Sequence, residues 1–547
     1  MAAKEIRFNM DARDLMRQGV DELANAVKVT SIRSSFPNTL RTILKFIRYY
    51  PLTICVRSLI RLLVVMMNFK MVLNVLGKLL LIEAALLCLP LALSFVYGED
   101  TWLSFVIPIA ALAVVGLPSL FLKPKDTAIY EKEGFVIVAF AWVIMSAVGA
   151  LPFVISKTIP HYVDALFESV SGFTTTGASI LNDIEVLPKS ILFWRSFTNW
   201  IGGMGVLVFA LAIMPEFNSG LMHAFRAETT GPTSGKLVSK MTFTARILYG
   251  IYIALTLIEM VLLLVGKMPL FDSVCHAMAT AGTGGFSIKN ASIAAYNSTY
   301  IEMVVAVFML LFGVNFNMFY LVLIGQFGRI LKNEELRVYL IIVVVSTLVI
   351  ALDILNKVSD FGQAVRYSFF QVASLGSSTG FATADFDQWP TLSKVILLCV
   401  MSIGGCAGST GGGLKVSRLI ILVKSSYTDG RKMVRPRSVI AVKIDGQSLP
   451  PQVIRNVRNF FVIAVGIVFL TTLLISIEGN GDVVSNFTAS LSAINNTGPG
   501  LGAVGPTLNY SGYSYFAKML LSFVMLAGRL EIFPMLVLLS PTTWRRR

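Results

Sequence analysis

One pattern recurs four times along the chain and limits what it can fold into. A long apolar run is followed by an apolar run of about a dozen residues, a Thr/Ser/Gly-rich kink and a second long run. The copies occupy 135–155, 163–173, 174–179 and 191–214, then 243–266, 271–281, 282–287 and 300–324. They return at 338–355, 361–375, 376–382 and 392–424, and at 459–477, 482–494, 495–502 and 514–540. The long runs reach the roughly 20 residues that a membrane helix needs, whereas the short ones suit re-entrant helices. Polar backbone at membrane depth is tolerated only where it lines a cavity or is buried in protein. The pattern predicts an all-α polytopic membrane protein whose four re-entrant loops meet around one aqueous path.

Composition agrees. The chain is 55% hydrophobic and 14% charged, with mean hydropathy +0.73, where a soluble domain carries about 25% charged residues. This excludes a soluble multidomain protein, a disordered chain and a coiled coil. The net charge of +15 reads as an excess of Lys and Arg in cytoplasmic loops, with no nucleic-acid partner implied. With both termini inside, basic residues gather in 123–133, 215–242, 325–337 and 425–458. The outer side receives Glu99, Asp100, Asp183, Glu185, Asp385, Asp387, Glu478 and Asp482. These acids either favour cations in an outer vestibule or simply populate solvated loops. The five cysteines and three histidines have no metal-like spacing. No paired acidic or His site suggests a membrane-embedded enzyme.

The division follows. Residues 1–66 form a basic extension with 11 Lys+Arg against 5 Asp+Glu, read as an interfacial helix or as sequence upstream of a true start at Met67. An extra helix pair fills 67–133, and pore repeats fill 134–235, 236–335, 336–450 and 451–547, for ten spans in all.

Set in register, the kinks align one glycine each: Gly177, Gly285, Gly380 and Gly498. Glycine adopts positive φ freely, and rings of backbone carbonyls can replace the hydration shell of a monovalent cation. Candidate ion-binding residues are Thr175, Thr176 and Gly177; Thr283, Gly284 and Gly285; Ser378, Thr379 and Gly380; and Asn496, Thr497 and Gly498. Their hydroxyls are expected to add neutral oxygens to the lumen. Each half-helix aims its negative dipole end at the centre. Asp164 and Asp272, each 13 positions before a kink glycine, are expected as N-caps.

A second glycine cluster interrupts the last long run of the third copy at 404–413, with Gly404, Gly405, Gly408, Gly411, Gly412 and Gly413. Each glycine costs a helix about 1 kcal/mol relative to alanine, so this stretch is expected to be a non-helical intramembrane gate. Lys415 follows Leu414, which excludes a phosphate-binding loop of the G-x-x-x-x-G-K type. Arg529 falls mid-span, where an arginine faces a cavity or a partner. It is expected either to border the path as an electrostatic barrier or to pair with Glu531 or the gate. Lys415 either shares that role or snorkels to the inner interface.

Several motifs carry a family resemblance: Ser171-Gly172-Phe173-Thr174-Thr175-Thr176-Gly177-Ala178-Ser179, Asn199-Trp200-Ile201-Gly202-Gly203-Met204-Gly205, the run from Gly404 to Lys415, and Gly528-Arg529-Leu530-Glu531-Ile532-Phe533-Pro534. Over about residues 67–547 the chain resembles the Trk/Ktr/HKT superfamily of potassium transporters, and its extra helix pair points to the Trk branch. The resemblance implies uptake of K+ through a multi-pass protein of the bacterial inner membrane, and the short carbonyl run around one glycine implies modest discrimination, with Rb+ and some Na+ expected to pass. Glycine at 177, where sodium-selective plant members carry serine, is similar to the potassium-conducting pattern. The resemblance further implies a gate at 404–413, an arginine matching Arg529, a homodimer, membrane lipid around it, and a cytosolic TrkA-type nucleotide-binding ring. No cofactor is expected on this chain. The basic loop 425–458 is a candidate docking surface for that ring, or an ordinary positive-inside loop. The alternative to a passive pore is a symporter coupling K+ to H+ or Na+, for which Glu168, Glu259 and Glu531 are the available carboxylates.

Overall fold

In hydrocarbon every backbone polar group must be satisfied within its own segment, which favours helices, and helices dominate here. The computed structural model describes residues 69–121, 131–205, 241–358, 360–436, 440–479 and 481–541. The 1–66 extension, nearly all of loop 215–242 and most of loop 123–133 lie outside the described residues.

Helices α1 (Phe69–Val96) and α2 (Trp102–Leu120) form an antiparallel pair joined by a tight turn. That turn carries Glu99, whose carboxylate accepts from the backbone N–H groups of Lys189 (2.6 Å) and Ser190 (3.1 Å). It thereby caps the next repeat's helix α6, where a negative group is favoured.

The four copies then follow. The first contains α3 (Glu131–Gly149), α4 (Leu151–Ile155), the half-helix α5 (Tyr162–Phe173) and α6 (Lys189–Gly203). The second contains α7 (Met241–Val265), the half-helix α8 (Leu270–Gly282), α9 (Thr299–Phe312) and α10 (Phe316–Leu323), with the short α11 (Phe327–Lys332) leading out. The third contains α12 (Glu334–Ile354), the half-helix α13 (Phe361–Gly376), α14 (Thr391–Ile403) and α15 (Val416–Val434). A small antiparallel hairpin, β1 (Lys443–Ile444) and β2 (Gln447–Ser448), leads to the fourth: α16 (Pro451–Ser476), the half-helix α17 (Val483–Asn495), α18 (Tyr515–Arg529) and α19 (Phe533–Leu539).

Among the described residues six helices are long and apolar enough to cross a membrane, and a seventh is the pair α9–α10, bent by 95°. Ten spans were expected, one of them interrupted at 404–413. The difference has one source: the second helix of each copy stops or bends partway. Breaks fall after Gly203, at 313–315, at 404–415 and at 530–532. The sequence pattern flagged one of these. The fourth is held by Glu531 and Ile532 at φ +54° and +68°, conformations that cost a β-branched residue on the order of 1–3 kcal/mol.

The half-helices form the buried layer. In α13, Phe370, Val372, Ala373 and Leu375 are all buried, as are Phe167, Val170 and Phe173 in α5. Their N-termini are capped differently from expectation. Asp360 and Asp482 cap α13 and α17 through their side chains. Asp164 and Asp272 instead lie in the first turns of α5 and α8, after His161 and Pro269. There Asp164 pairs with Lys518 at 2.7 Å, and Asp272 accepts from the Tyr296 hydroxyl at 2.7 Å.

Candidate functional site

Each half-helix ends in the same way. The residue before the kink glycine donates its N–H to a carbonyl five positions back: Thr176 to Ser171, Gly284 to Ala279, Thr379 to Ser374 and Thr497 to Ser492. The residue before that donates three positions back: Thr175 to Gly172, Thr283 to Thr280, Ser378 to Leu375 and Asn496 to Ala493. These are Schellman ends, whose reversing residue is left-handed and usually glycine. Here it is Thr175, Thr283, Ser378 and Asn496, at φ +56°, +54°, +61° and +51°. The aligned glycines Gly177, Gly285, Gly380 and Gly498 are left-handed again, at φ +79°, +66°, +87° and +94°. Such alternation of hand turns successive carbonyls toward the same side of the chain.

The four segments close into a ring in sequence order. A Cβ on Gly177 would lie 2.1 Å from the Gly284 carbonyl oxygen, and one on Gly285 would lie 1.9 Å from that of Thr379. On Gly380 it would lie 2.4 Å from the Thr497 oxygen, and on Gly498 2.7 Å from the Thr176 oxygen. Each glycine thus abuts the carbonyl that precedes the glycine of the next copy, and the fourth returns to the first. All four line one cavity of about 170 Å³.

The hydroxyls differ from expectation, since several bond within the protein. Thr176 Oγ1 lies 2.8 Å from Thr174 Oγ1 and accepts from Asn496 Nδ2 at 2.9 Å. Thr379 Oγ1 lies 2.7 Å from Ser377 Oγ, and Thr283 Oγ1 donates to the Gly282 carbonyl at 2.6 Å. The Gly498 carbonyl accepts from Tyr510 (2.7 Å) and Ser492 (2.8 Å) hydroxyls. These hydroxyls are thus engaged within the protein. No group of three or more His, Cys, Asp or Glu side chains among the described residues could hold a metal ion.

Directly beneath lies the segment 404–415, which is non-helical as expected. Gly412 N–H donates to Ser378 Oγ, and Gly413 N–H to the Asn495 carbonyl at 3.0 Å. A Cβ on Gly411 would lie 2.6 Å from the Ser377 oxygen. Toward the second copy, Cys406 N–H donates to Gly313 (2.8 Å) and Phe316 N–H to Gly408 (3.0 Å). The segment therefore seats on three copies at once. Gly404, Gly408 and Gly413 have positive φ, and Gly404 approaches Gly412 so closely that a Cβ would lie 2.3 Å from its oxygen. Gly405 is the one whose Cβ would meet Gly313 O, at 3.0 Å.

Arg529 reaches this segment. It donates to the Thr410 carbonyl at 2.8 Å, to Gly203 at 2.6 Å and to Gly202. It thus ties segment 404–415 to the break after α6. Glu531, one expected partner, pairs instead with Arg418. Lys415 does not snorkel: it is 2% exposed and donates to the Gly411 carbonyl. Arg529, Lys415, Arg418 and Glu531 all line a small cavity of about 40 Å³ under the ring.

Sequence reasoning missed three features. Glu335, in the first turn of α12, accepts through one oxygen from both Ala407 N–H (2.7 Å), inside the glycine segment, and Ser417 N–H (3.1 Å), just after it. Arg195 and Glu168 form a buried ion pair at 2.6 Å behind the ring. The outer acids are mostly engaged: Asp387 pairs with Lys394 and accepts from Gly502 N–H, Glu478 accepts from Ser514, and Asp183 and Glu185 bind Asn290. Glu185 also pairs with Lys289 at 3.0 Å, and these hydrogen bonds hold its carboxyl below the usual range. Apart from Asp387–Lys394, seven positions apart, these contacts join residues far apart in the chain, so no short-range sequence signal marks them.

Comparison with known proteins gives a consistent picture. Residues 104–545 match the TrkH family, described as cation transport protein. The Trk system potassium uptake protein TrkH of Escherichia coli K12 is 36% identical over 488 residues, covering 88% of this chain and 100% of that protein. The Trk system potassium uptake protein TrkG of the same organism is 32% identical over 462 residues, covering 83% and 94%. The crystal structure of the potassium transporter TrkH from Vibrio parahaemolyticus superposes with a TM-score of 0.78 at 33% identity, over 88% of this chain and 100% of that one.

Proposed function

This chain belongs to the TrkH family of cation transport proteins, a multi-pass membrane transporter and not an enzyme, and we propose that it takes up potassium through the four-segment ring. The ring is its selectivity filter, with main-chain oxygens of Thr175, Thr176, Thr283, Gly284, Ser378, Thr379, Asn496 and Thr497 standing in for water around K+ or Rb+. The observation that carries this reading is the closed cycle of glycine-to-carbonyl approaches from each copy to the next. An ion of one charge is held well by several neutral oxygens in a fixed frame, and the half-helix dipoles add to the attraction. The same reading divides the chain into an extra helix pair and four pore repeats, with the filter on the outer side and basic loops in the cytoplasm of a bacterial inner membrane.

Segment 404–413 is the gate, seated in the closed position under the filter. Arg529 acts there both as a clamp and as a positive barrier on the path. The TrkA-type ring that the family resemblance implies has a route to the gate through the hairpin. Asp445 accepts from Glu334 N–H (2.7 Å) and Asn333 Nδ2 (3.0 Å), and the adjacent Glu335 holds the glycine segment at Ala407 and the helix that follows it at Ser417. A homodimer is part of the same family expectation. Symport is the weaker reading, since Glu168 and Glu531, two of its three carboxylates, are committed to ion pairs.

The test is tracer rubidium uptake into proteoliposomes under an imposed potential, with potassium, sodium and lithium as competitors. Potassium should compete best. Wild-type flux surviving a bulky replacement of Gly177 or Gly498 would refute the filter assignment.

A further inference from the structure

The position nine residues before each filter glycine carries a different side chain in each copy: Glu168, His276, Gln371 and Ala489. The three polar ones each reach the chain just beyond their own glycine. Glu168 accepts from the Ser179 hydroxyl (3.0 Å) and Ile180 N–H (3.0 Å). His276 Nε2 pairs with the Ser287 hydroxyl at 3.1 Å, and Gln371 donates to the Ala384 carbonyl at 3.3 Å. The first copy alone among these positions carries a carboxylate, and α6 supplies its counter-charge.

Arg195 Nε donates to Glu168 at 2.6 Å, while its Nη1 donates to the Ser287 carbonyl at 2.7 Å. Its guanidinium lies 3.8 Å from the centroid of the Phe286 ring, within cation–π range. One turn further along α6, the Asn199 amide donates to the Gly172 carbonyl (2.8 Å) and accepts from Phe286 N–H (3.2 Å), its orientation assigned from these partners. Glu168 and Gly172 are four apart on α5, as Arg195 and Asn199 are on α6, so each pair shares a helix face. The result is a two-rung ladder from the first half-helix, through α6, to the two residues that follow Gly285. The ion-pair side chains are 3% and 0% exposed. Removing one partner of such a pair strands the other charge.

We propose that Arg195 and Glu168 are positioning residues for ion selectivity. They fix the spacing between the first and second filter segments, where Gly177 meets the Gly284 oxygen. The inference rests on the filter reading above. Both strands leaving the filter, at Ser179–Ile180 and at Phe286–Ser287, are held by one guanidinium–carboxylate unit. A small relative shift of these strands changes the oxygen spacing that a cation meets, and a site of altered spacing discriminates less between K+ and Na+.

The experiment uses the full chain in proteoliposomes and reads how much sodium halves rubidium uptake. Glu168→Gln and Arg195→Lys should each lower that sodium concentration about tenfold, equivalent to about 1.4 kcal/mol of lost discrimination. Asp164→Asn is the control: it breaks the Lys518 pair at the far end of the same half-helix, also little exposed at 6% and 15%. It should leave sodium competition unchanged. Unaltered competition in both ladder variants overturns the proposal, and so does an equal shift in Asp164→Asn. If Glu168→Gln passes no ions, melting in detergent replaces uptake, because a bound ion stabilises the folded state. Loss of the wild-type excess of rubidium over sodium stabilisation supports the proposal, and its retention overturns it. Gly177→Ala is measured alongside: normal uptake in that variant defeats the filter reading itself, separately from the ladder.

Discussion

The four-segment ring and the segment beneath it are both glycine-rich and use the same left-handed backbone, yet they are supported in different ways. Each filter strand continues its own half-helix and inherits two backbone hydrogen bonds from that helix's end. Its neighbours add close packing and side-chain braces. Segment 404–415 has no half-helix behind it. It is held by donors and acceptors borrowed from elsewhere: Glu335, Arg529, Gly313, Ser378 and Asn495. A strand anchored by its own helix stays seated when one neighbour changes, although its spacing to the next strand can shift. A strand held by borrowed bonds can be released by removing a few of them. Glycine permits close approach in both regions, and what differs is how the surroundings hold each strand.

Substitutions in the two regions should separate these roles. The largest effect is expected from Gly285→Ala, whose Cβ would lie 1.9 Å from the Thr379 oxygen, a backbone atom with little room to yield. An overpacking cost of about 3 kcal/mol corresponds to a loss of about 100-fold in rubidium uptake. Uptake within a factor of two of wild type would break the comparison at its first term. Arg529→Gln should act in the opposite direction. It removes charge-assisted bonds to Thr410, Gly202 and Gly203 together with a positive barrier, and a rise in flux of about tenfold is expected if about 1.4 kcal/mol of closed-state preference is lost. A fall in flux with intact protein would assign Arg529 to the structure of the open path instead. Glu335→Gln keeps an acceptor but loses the charge, so a smaller rise of about threefold is expected, with sodium competition unchanged. Altered competition in that variant would mean that gate and filter are not separable.

The smallest effect concerns the outer mouth. Hydrogen bonds from Lys289 and Asn290 depress the Glu185 carboxyl. The stability this link contributes is fully present above the ordinary carboxylate range and is lost as pH falls through the depressed folded value. Melting of wild type and Glu185→Gln, measured from pH 7 downward, should differ by about 1 °C or less at neutral pH, because the pair is largely solvent-exposed. The two curves should converge in acid. A difference that grows on acidification would reverse the sign of the argument.

Much of this was legible in advance because it depends on local chemistry. Short apolar runs between long ones mark the half-helices, and their predicted limits agree with the structure within a residue or two. Six glycines in ten positions cannot sustain a helix, and 404–413 does not. The end of each half-helix was less readable, since Thr175, Thr283, Ser378 and Asn496 occupy a left-handed position that glycine usually fills. The N-caps were misassigned at Asp164 and Asp272 because spacing alone cannot tell a capping carboxylate from one in the first turn that pairs with Lys518 or Tyr296.

From residue order and hydropathy alone came the membrane class, the four copies and the alignment of Gly177, Gly285, Gly380 and Gly498, because periodicity and backbone preference act over neighbouring residues. Folding in three dimensions decided the rest: that the four strands close on one another, that all four second helices break beneath them, and that Arg195, Glu335 and Arg529 each bond to residues far along the chain. Those partners lie from 27 to more than 300 positions apart in the chain. Their meeting is set by how the helices pack, which no local pattern records.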